Sequence, residues 1–199
     1  DRLTQSEDPV VMRLAPKLEA NVARAVTLAE TTLSFGRASE PAPILGQVDL
    51  TSLLQDVVET ELMAIGQLPI DVKFEISENL IIRADSEQLH RALSNLVRNA
   101  RQALADQSKG GAIVLKAWQT PQFWIIDVID TGPGLPEKAK AHLFKPFQGT
   151  ATGGGSGLGL AIVQELMRGH GGSAEYLEAK GPGACFRLML PKLTLDNAD

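Results

Sequence analysis

A chain of 199 residues, 44% hydrophobic and 22% charged, suits one ample domain with or without a small appendage, and can bury a real core. Its net charge of −5 argues against nonspecific nucleic-acid binding, which relies on a positive surface, although a local pocket can still be positive. The single cysteine rules out an intrachain disulfide and suits a reducing compartment, there is no secretory signal, and no stretch approaches the roughly 20 apolar residues that cross a bilayer.

In chain order, Asp8-Pro9 makes a good helix start, with the aspartate as cap and the proline in the first turn. A seven-residue rhythm follows: Val11, Leu18, Ala25 and Thr32 form one set, and Leu14, Asn21, Leu28 and Phe35 the other. Gly36 ends this helix and Pro41-Ala-Pro43 reads as a linker. The helix either packs back on its own domain or is half of a hairpin whose other half lies upstream. The chain does not begin with methionine, which makes it a candidate fragment.

Beyond the linker, 44–48 reads as a short strand, and Asp49 caps an amphipathic helix through Leu62. Strands are expected at 70–76 and 80–84, then Asp85 caps a long helix to Ala105. Two strands follow at 112–119 and 123–130, then loops with a short helix near Lys138. A helix from Ser156 to Arg168 and strands at 173–177 and 184–190 close the domain, with Cys185 expected inside the last strand. Strands mostly consecutive, with grouped helices, predict an α+β two-layer sandwich with helices on one face of a mixed sheet.

Four segments stand out: Asn95-Leu-Val-Arg-Asn99-Ala, Asp130-Thr-Gly132-Pro-Gly134, Leu143-Phe-Lys-Pro-Phe147 and Gly153-Gly-Gly155-Ser156-Gly157-Leu158-Gly159-Leu160. Asn95 and Asn99 are four apart, so they project from one helix face beside its apolar side. Mg²⁺ takes hard oxygen ligands and leaves most positions to phosphates and water, so one amide oxygen from Asn99 is a natural contribution. Asn95 can brace it or reach a phosphate. Asp130, at the end of an apolar strand, can accept from the exocyclic amine of adenine, which guanine lacks. Alone, Asp-Thr-Gly-Pro-Gly is equally an ordinary turn.

Glycines crowded before a helix make a poor stable loop but a good phosphate cradle, because a helix N-terminus offers unpaired N–H groups and partial positive charge. No lysine follows in the manner of a phosphate loop, and the dinucleotide fingerprint is absent. Phe144 and Phe147 either anchor a lid over nucleotide or are plain core, and Lys145, Gln148, Thr150 and Thr152 are candidate phosphate contacts.

As a set, in this order, the segments resemble the N, G1, F and G2 boxes of sensor histidine kinases, in the ATPase superfamily that also holds gyrase, Hsp90 and MutL. The resemblance runs from about Val48 to Pro191 and includes His170-Gly-Gly and Gly181-Pro-Gly-Ala-Cys-Phe near the end. It implies the Bergerat-type ATP-binding fold over 44–193. Residues 1–40 would be the second helix of a dimerisation and phosphoacceptor domain with its linker. The implied cofactors are ATP and Mg²⁺. Asn99 would bind the metal and Asn95 would assist, while Asp130, with Gly132 and Gly134, would recognise adenine. Gly155, Ser156, Gly157, Leu158 and Gly159 would shape the phosphate pocket, with Lys145 and Thr150 as further nucleotide contacts.

Gyrase-like and Hsp90-like members carry a water-activating glutamate where this chain has Asn95. A kinase that must preserve ATP needs no such base. The implied activity is transfer of the γ-phosphoryl of Mg-ATP to a histidine upstream of Asp1, and thence to a response-regulator aspartate. None of His90, His142 and His170 has the context of a phosphoacceptor, so all three read as structural or surface residues. Departures include Gln102, where many such kinases have lysine but nitrogen-regulation types do not, and Ala184, where threonine is common. The implied partners are ATP or ADP, a receiver domain and a second copy in the parent, with no nucleic acid and no membrane contact from this chain. The expected location is cytoplasmic, whether or not the parent is membrane-anchored. The rival readings are a noncatalytic phosphotransfer scaffold that has lost ATP, a chaperone- or topoisomerase-type ATPase, and an anti-sigma serine kinase.

Overall fold

The computed structural model describes residues 10–11, 14–15, 18, 22, 40–63, 69–105, 110–147, 157–178 and 181–192. The described residues near the N-terminus are helical, and Val10, Leu14, Leu18 and Val22, spaced by four, are each about half exposed. The remaining heptad positions, the stop at Gly36, and the glycine segment up to Ser156 lie outside the described residues, as do Gln148, Thr150 and Thr152.

From Gly46 onward the elements are β1 (Gly46–Asp49), α1 (Leu50–Met63), β2 (Ile70–Ile76), β3 (Ile81–Ala84) and α2 (Ser86–Ala105). Then come β4 (Gly111–Gln119), β5 (Phe123–Asp130), the short α3 (Glu137–Lys140), α4 (Gly159–Gly169), β6 (Ser173–Leu177) and β7 (Cys185–Pro191). Five strands form one mixed sheet in the order β2-β4-β5-β7-β6, with β2 parallel to β4 and the other pairs antiparallel. This is the expected two-layer sandwich with an added feature. β1 leaves the main sheet and pairs with β3 as a separate antiparallel ribbon.

The helix starts expected at Asp49 and Asp85 form as read, the one at Asp8 lies outside the described residues, and the helix expected from Ser156 begins at Gly159. Asp49 Oδ1 accepts the N–H groups of Thr51 and Ser52 at 2.9 and 3.3 Å, and Asp85 Oδ1 accepts that of Gln88 at 3.0 Å. α2 packs between α1 and α4 and lies on β4 and β5, whereas α4 lies on β6 and β7. Alternate residues of the strands, such as Ile113, Leu115, Ile126, Val128, Leu188 and Leu190, meet Leu89, Leu93, Leu96 and Val97 of α2 in a continuous core. Burial of the helix faces supplies the main driving force, at about 25 cal/mol per Å² of apolar surface.

The opposite sheet face is held by charge. Glu75, Lys116, Asp127, Arg187 and Glu175 are register neighbours across all five strands, alternating in sign. Arg187 grips the buried Asp127 with two bonds of 2.8 Å and lies 5.1 Å from the centre of the Trp118 ring. Cys185 is buried in β7 as expected, and burial, with the Asp127 carboxylate nearby, pushes its thiol up to about 11. Among the described residues, no helix is long and apolar enough to cross a membrane.

Candidate functional site

The asparagine pair sits midway along α2, half-buried, on the side facing α4. Asn95 Nδ2 donates to Arg91 O at 2.9 Å, one helical turn back, which turns Oδ1 the other way. That oxygen meets the start of α4: a methyl placed on Gly159 would lie 3.2 Å from Asn95 Oδ1 and 3.9 Å from Asn99 Oδ1. Two hard amide oxygens therefore converge on a helix N-terminus, where unpaired N–H groups and partial positive charge favour an anion. Leu158, fully buried, seats this terminus, and its carbonyl accepts the Ile162 N–H at 2.9 Å.

The arginines flanking Asn99 point elsewhere. Arg98 makes a two-bond pair with the buried Glu61 of α1 at 2.7 and 3.2 Å, and Arg101 donates to the Glu61 carbonyl at 2.9 Å. These contacts lock α1 to α2 and leave the asparagine face to α4.

Asp130 ends β5 and is buried. Its Oδ1 accepts the Gly132 N–H at 2.8 Å and, more weakly, the Ala184 N–H at 3.4 Å. Its Oδ2 accepts no bond from the described residues. Burial raises the carboxyl above the usual range, and the two backbone donors offset that only in part. The turn after Asp130 is held against a second one. Gly183 stands at φ +127°, and a Cβ there would lie 1.9 Å from Asp130 O, while one on Gly134 would lie 3.0 Å from Gly183 O. Gly132 is equally tight, since a Cβ there would come within 2.7 Å of Asp130 Oδ1.

The segment that follows is anchored at its base. Lys140 of α3 bonds Glu137 and Glu178 and lies 5.9 Å from the Tyr176 ring centre, which ties α3 to the end of β6. The N–H of Phe147 donates to Gly157 O at 3.1 Å, so the two ends flanking the glycine segment are held together. Phe144 packs against the core, whereas Phe147 is 62% exposed at φ +62°. Of the two expected aromatic anchors, only the first is one.

Residues 84–194, more than half of the chain, match the family model described as histidine kinase-, DNA gyrase B- and HSP90-like ATPase. The chain belongs to that family. Among curated relatives, the nitrogen regulation protein NtrY of Azorhizobium caulinodans is 33% identical over 79% of this chain and 20% of its own length. The circadian input-output histidine kinase CikA of Synechococcus elongatus is 33% identical over 66% of this chain and 18% of its own. The chain thus spans about a fifth of these relatives. Full-length ShkA, solved with AMPPNP, superimposes with a TM-score of 0.77 at 28% identity over 95% of this chain and 40% of that one. The histidine kinase ThkA, solved with the response regulator TrrA, gives 0.77 at 26% identity over 95% and 54%.

Within this ATPase fold the structure brings Asn95, Asn99, Leu158 and Gly159 together, and gathers Asp130, Gly132 and Gly134 at the end of β5. Gly157 bonds the base of the Phe144–Phe147 segment, and Lys145 is exposed beside it. The backbone of Gly183 and Ala184 belongs to the Asp130 end, which the Gly181-Pro-Gly183 turn signals only once its partner is known. His170 is more than a turn residue, since both of its ring nitrogens are bonded inside the fold.

Proposed function

We propose that this chain is the ATP-binding catalytic part, 44–193, of a two-component sensor histidine kinase, preceded in 1–40 by one helix of its dimerisation and phosphoacceptor domain. The observation that carries this reading is the pairing of two ends. Amide oxygens converge on a helix N-terminus at one end, and at the other a buried aspartate keeps one carboxylate oxygen without a partner among the described residues. Asp130 Oδ2 accepts the adenine amine, and Gly132, Gly134 and Gly183 let the base approach the backbone. The N–H groups at the start of α4, with Gly155, Ser156 and Gly157, receive the phosphates, and Lys145 and Thr150 supplement them.

Among the described residues no three of His, Cys, Asp and Glu cluster as a metal cage. A donor set of one or two amide oxygens fits Mg²⁺ that keeps phosphate and water ligands, and Asn99 Oδ1 would hold it. Bound there, Mg²⁺ would neutralise charge on the transferring phosphoryl group. A histidine ring nitrogen of the acceptor attacks the γ-phosphorus, the bond to the β,γ-bridging oxygen breaks and ADP leaves. Asn95 carries a neutral carboxamide, which is too weak a base to take a proton from water, and this argues against an ATPase that hydrolyses for its own sake. The exposed Val10, Leu14, Leu18 and Val22 row suits pairing with the helices of a second copy, and a receiver domain is the onward acceptor.

The test is transfer in trans. The chain is mixed with Mg-ATP labelled at the γ position and a separately produced segment of the parent that carries the proposed phosphoacceptor histidine. We expect acid-labile, alkali-stable label on that segment's histidine, none on this chain alone, and none with Asn99→Ala. Phosphate released to water at the same rate with or without the acceptor would overturn the reading in favour of an ATPase.

A further inference from the structure

The two ends of the site are built on different supports. The Asp130 end belongs to β5 and the 183–184 backbone, whereas the phosphate end lies between two helices, α2 and α4. Those helices run antiparallel. Asn95 and Asn99 of α2 meet the first residue of α4, and the start of α2 meets the residue just after the end of α4. At 1.5 Å per residue, the distance from Asp85 to Asn95 along α2 is about 15 Å and that from His170 to Gly159 along α4 is about 17 Å.

His170 makes the second contact. Its Nε2 accepts the Asp85 N–H at 3.0 Å, so the ring proton sits on Nδ1, which donates to Leu166 O at 2.8 Å, and the ring is buried. Asp85 in turn caps α2 through Oδ1 and accepts the Ile44 N–H through Oδ2 at 2.8 Å, next to the linker prolines. Burial works against the ionised carboxyl, but the N–H groups of Gln88, Ile44 and Glu87, with His170 nearby, hold it below the usual range. Nothing else in the described residues bonds the backbone at the start of α2 to the end of α4.

We propose that His170 is a positioning residue for the phosphate end of the site. By accepting the Asp85 N–H, it fixes how far α4 can slide along α2, and hence the separation between the α4 N-terminus and the amide oxygens of Asn95 and Asn99. A slip of one residue moves a helix 1.5 Å, and errors of about 1 Å in such sites cost up to a hundredfold. The proposal rests on the nucleotide reading above, and deepens it by separating the base from the phosphates.

The experiment compares His170→Asn with His170→Gln. Asparagine can keep the bond to Leu166 O but is too short to reach Asp85, while glutamine extends to where Nε2 stands. Each variant and the wild type are titrated with Mg-ATP and with adenosine, after a circular-dichroism melt has shown that they fold. If His170→Asn does not fold, His170→Phe takes its place, since it fills the ring volume without an acceptor. The expected result is Mg-ATP affinity reduced about tenfold or more in His170→Asn, adenosine affinity within twofold of wild type, and most of the loss restored by His170→Gln. A merely structural histidine lowers the melting temperature and leaves the ratio of the two affinities unchanged, and that result overturns the proposal. Wild type that binds neither ligand overturns the nucleotide reading itself, and the proposal with it.

Discussion

Asp130→Asn is expected to abolish most of the affinity for ATP and ADP while leaving the fold intact. The asparagine oxygen can still accept from Gly132 and Ala184, so the turn survives. What is lost is the charged acceptor at Oδ2, and its replacement by an amide NH₂ sets a donor against the adenine amine. Hydrogen bonds to charged groups contribute about 1.5–3 kcal/mol, which is roughly 10- to 150-fold in affinity. Calorimetric titration of ADP measures this directly, and affinity within a factor of two of wild type would remove Asp130 from the site.

The same carboxyl gives a pH dependence whose two signs oppose each other. Its folded pKa is raised by burial, so as pH falls it takes up a proton before an unfolded aspartate does. In that window the folded state binds more protons than the unfolded one, so this group's contribution to stability increases as pH falls and is lost as pH rises through the raised value. On the proposed role of Asp130, nucleotide binding needs the ionised form and should weaken over the same interval. Acidification toward the raised value should therefore lower ADP affinity in wild type without a matching loss of thermal stability from this residue. Asp130→Asn should lack the pH-dependent part of both.

Gly183→Ala should be strongly damaging, since among the described glycines it has the closest backbone approach to an added Cβ. Gly183 lies at φ +127°, where side chains are rarely tolerated, and a Cβ there would sit 1.9 Å from the carbonyl oxygen of Asp130. Either β5 or the 181–184 turn must move, and both carry the Asp130 end of the site. The expected loss is roughly 3 kcal/mol or more, or about 6–12 °C in melting temperature for a domain of this size. Gly181→Ala is the matched control, because nothing lies within 4 Å of its Cβ, and its effect should stay within about 0.5 kcal/mol. Equal melting temperatures for the two variants would show that the Gly183 contact yields without strain.

The sequence was most informative where a local rule and a tertiary role agree. Asp85 and Asp49 are legible as caps because capping is settled within three residues, and the four-residue spacing of Asn95 and Asn99 fixes their common face. Other features depend on partners distant in sequence. The parallel pairing of β2 with β4 and the separate β1–β3 ribbon require registers that no local pattern encodes. The charges of Glu75, Lys116, Asp127, Arg187 and Glu175 look like ordinary solvated positions until the sheet aligns them.

Phe144 and Phe147 carry the same label in sequence, and only packing separates the half-buried anchor from the exposed ring. His170 illustrates the limit from the other side. The reading of it as a structural residue was right in kind, but its partner Asp85 lies 85 positions away, and the bond between them cannot be read from a His-Gly-Gly turn.

The most direct test is a calorimetric titration of ATP into the wild-type chain and into Asn99→Ala, each with and without Mg²⁺. The account predicts that Mg²⁺ strengthens ATP binding to the wild type, and that Asn99→Ala retains Mg²⁺-free binding but loses the strengthening. A well-folded wild type that takes up no ATP, or an Asn99→Ala chain with the full Mg²⁺ effect, would contradict it.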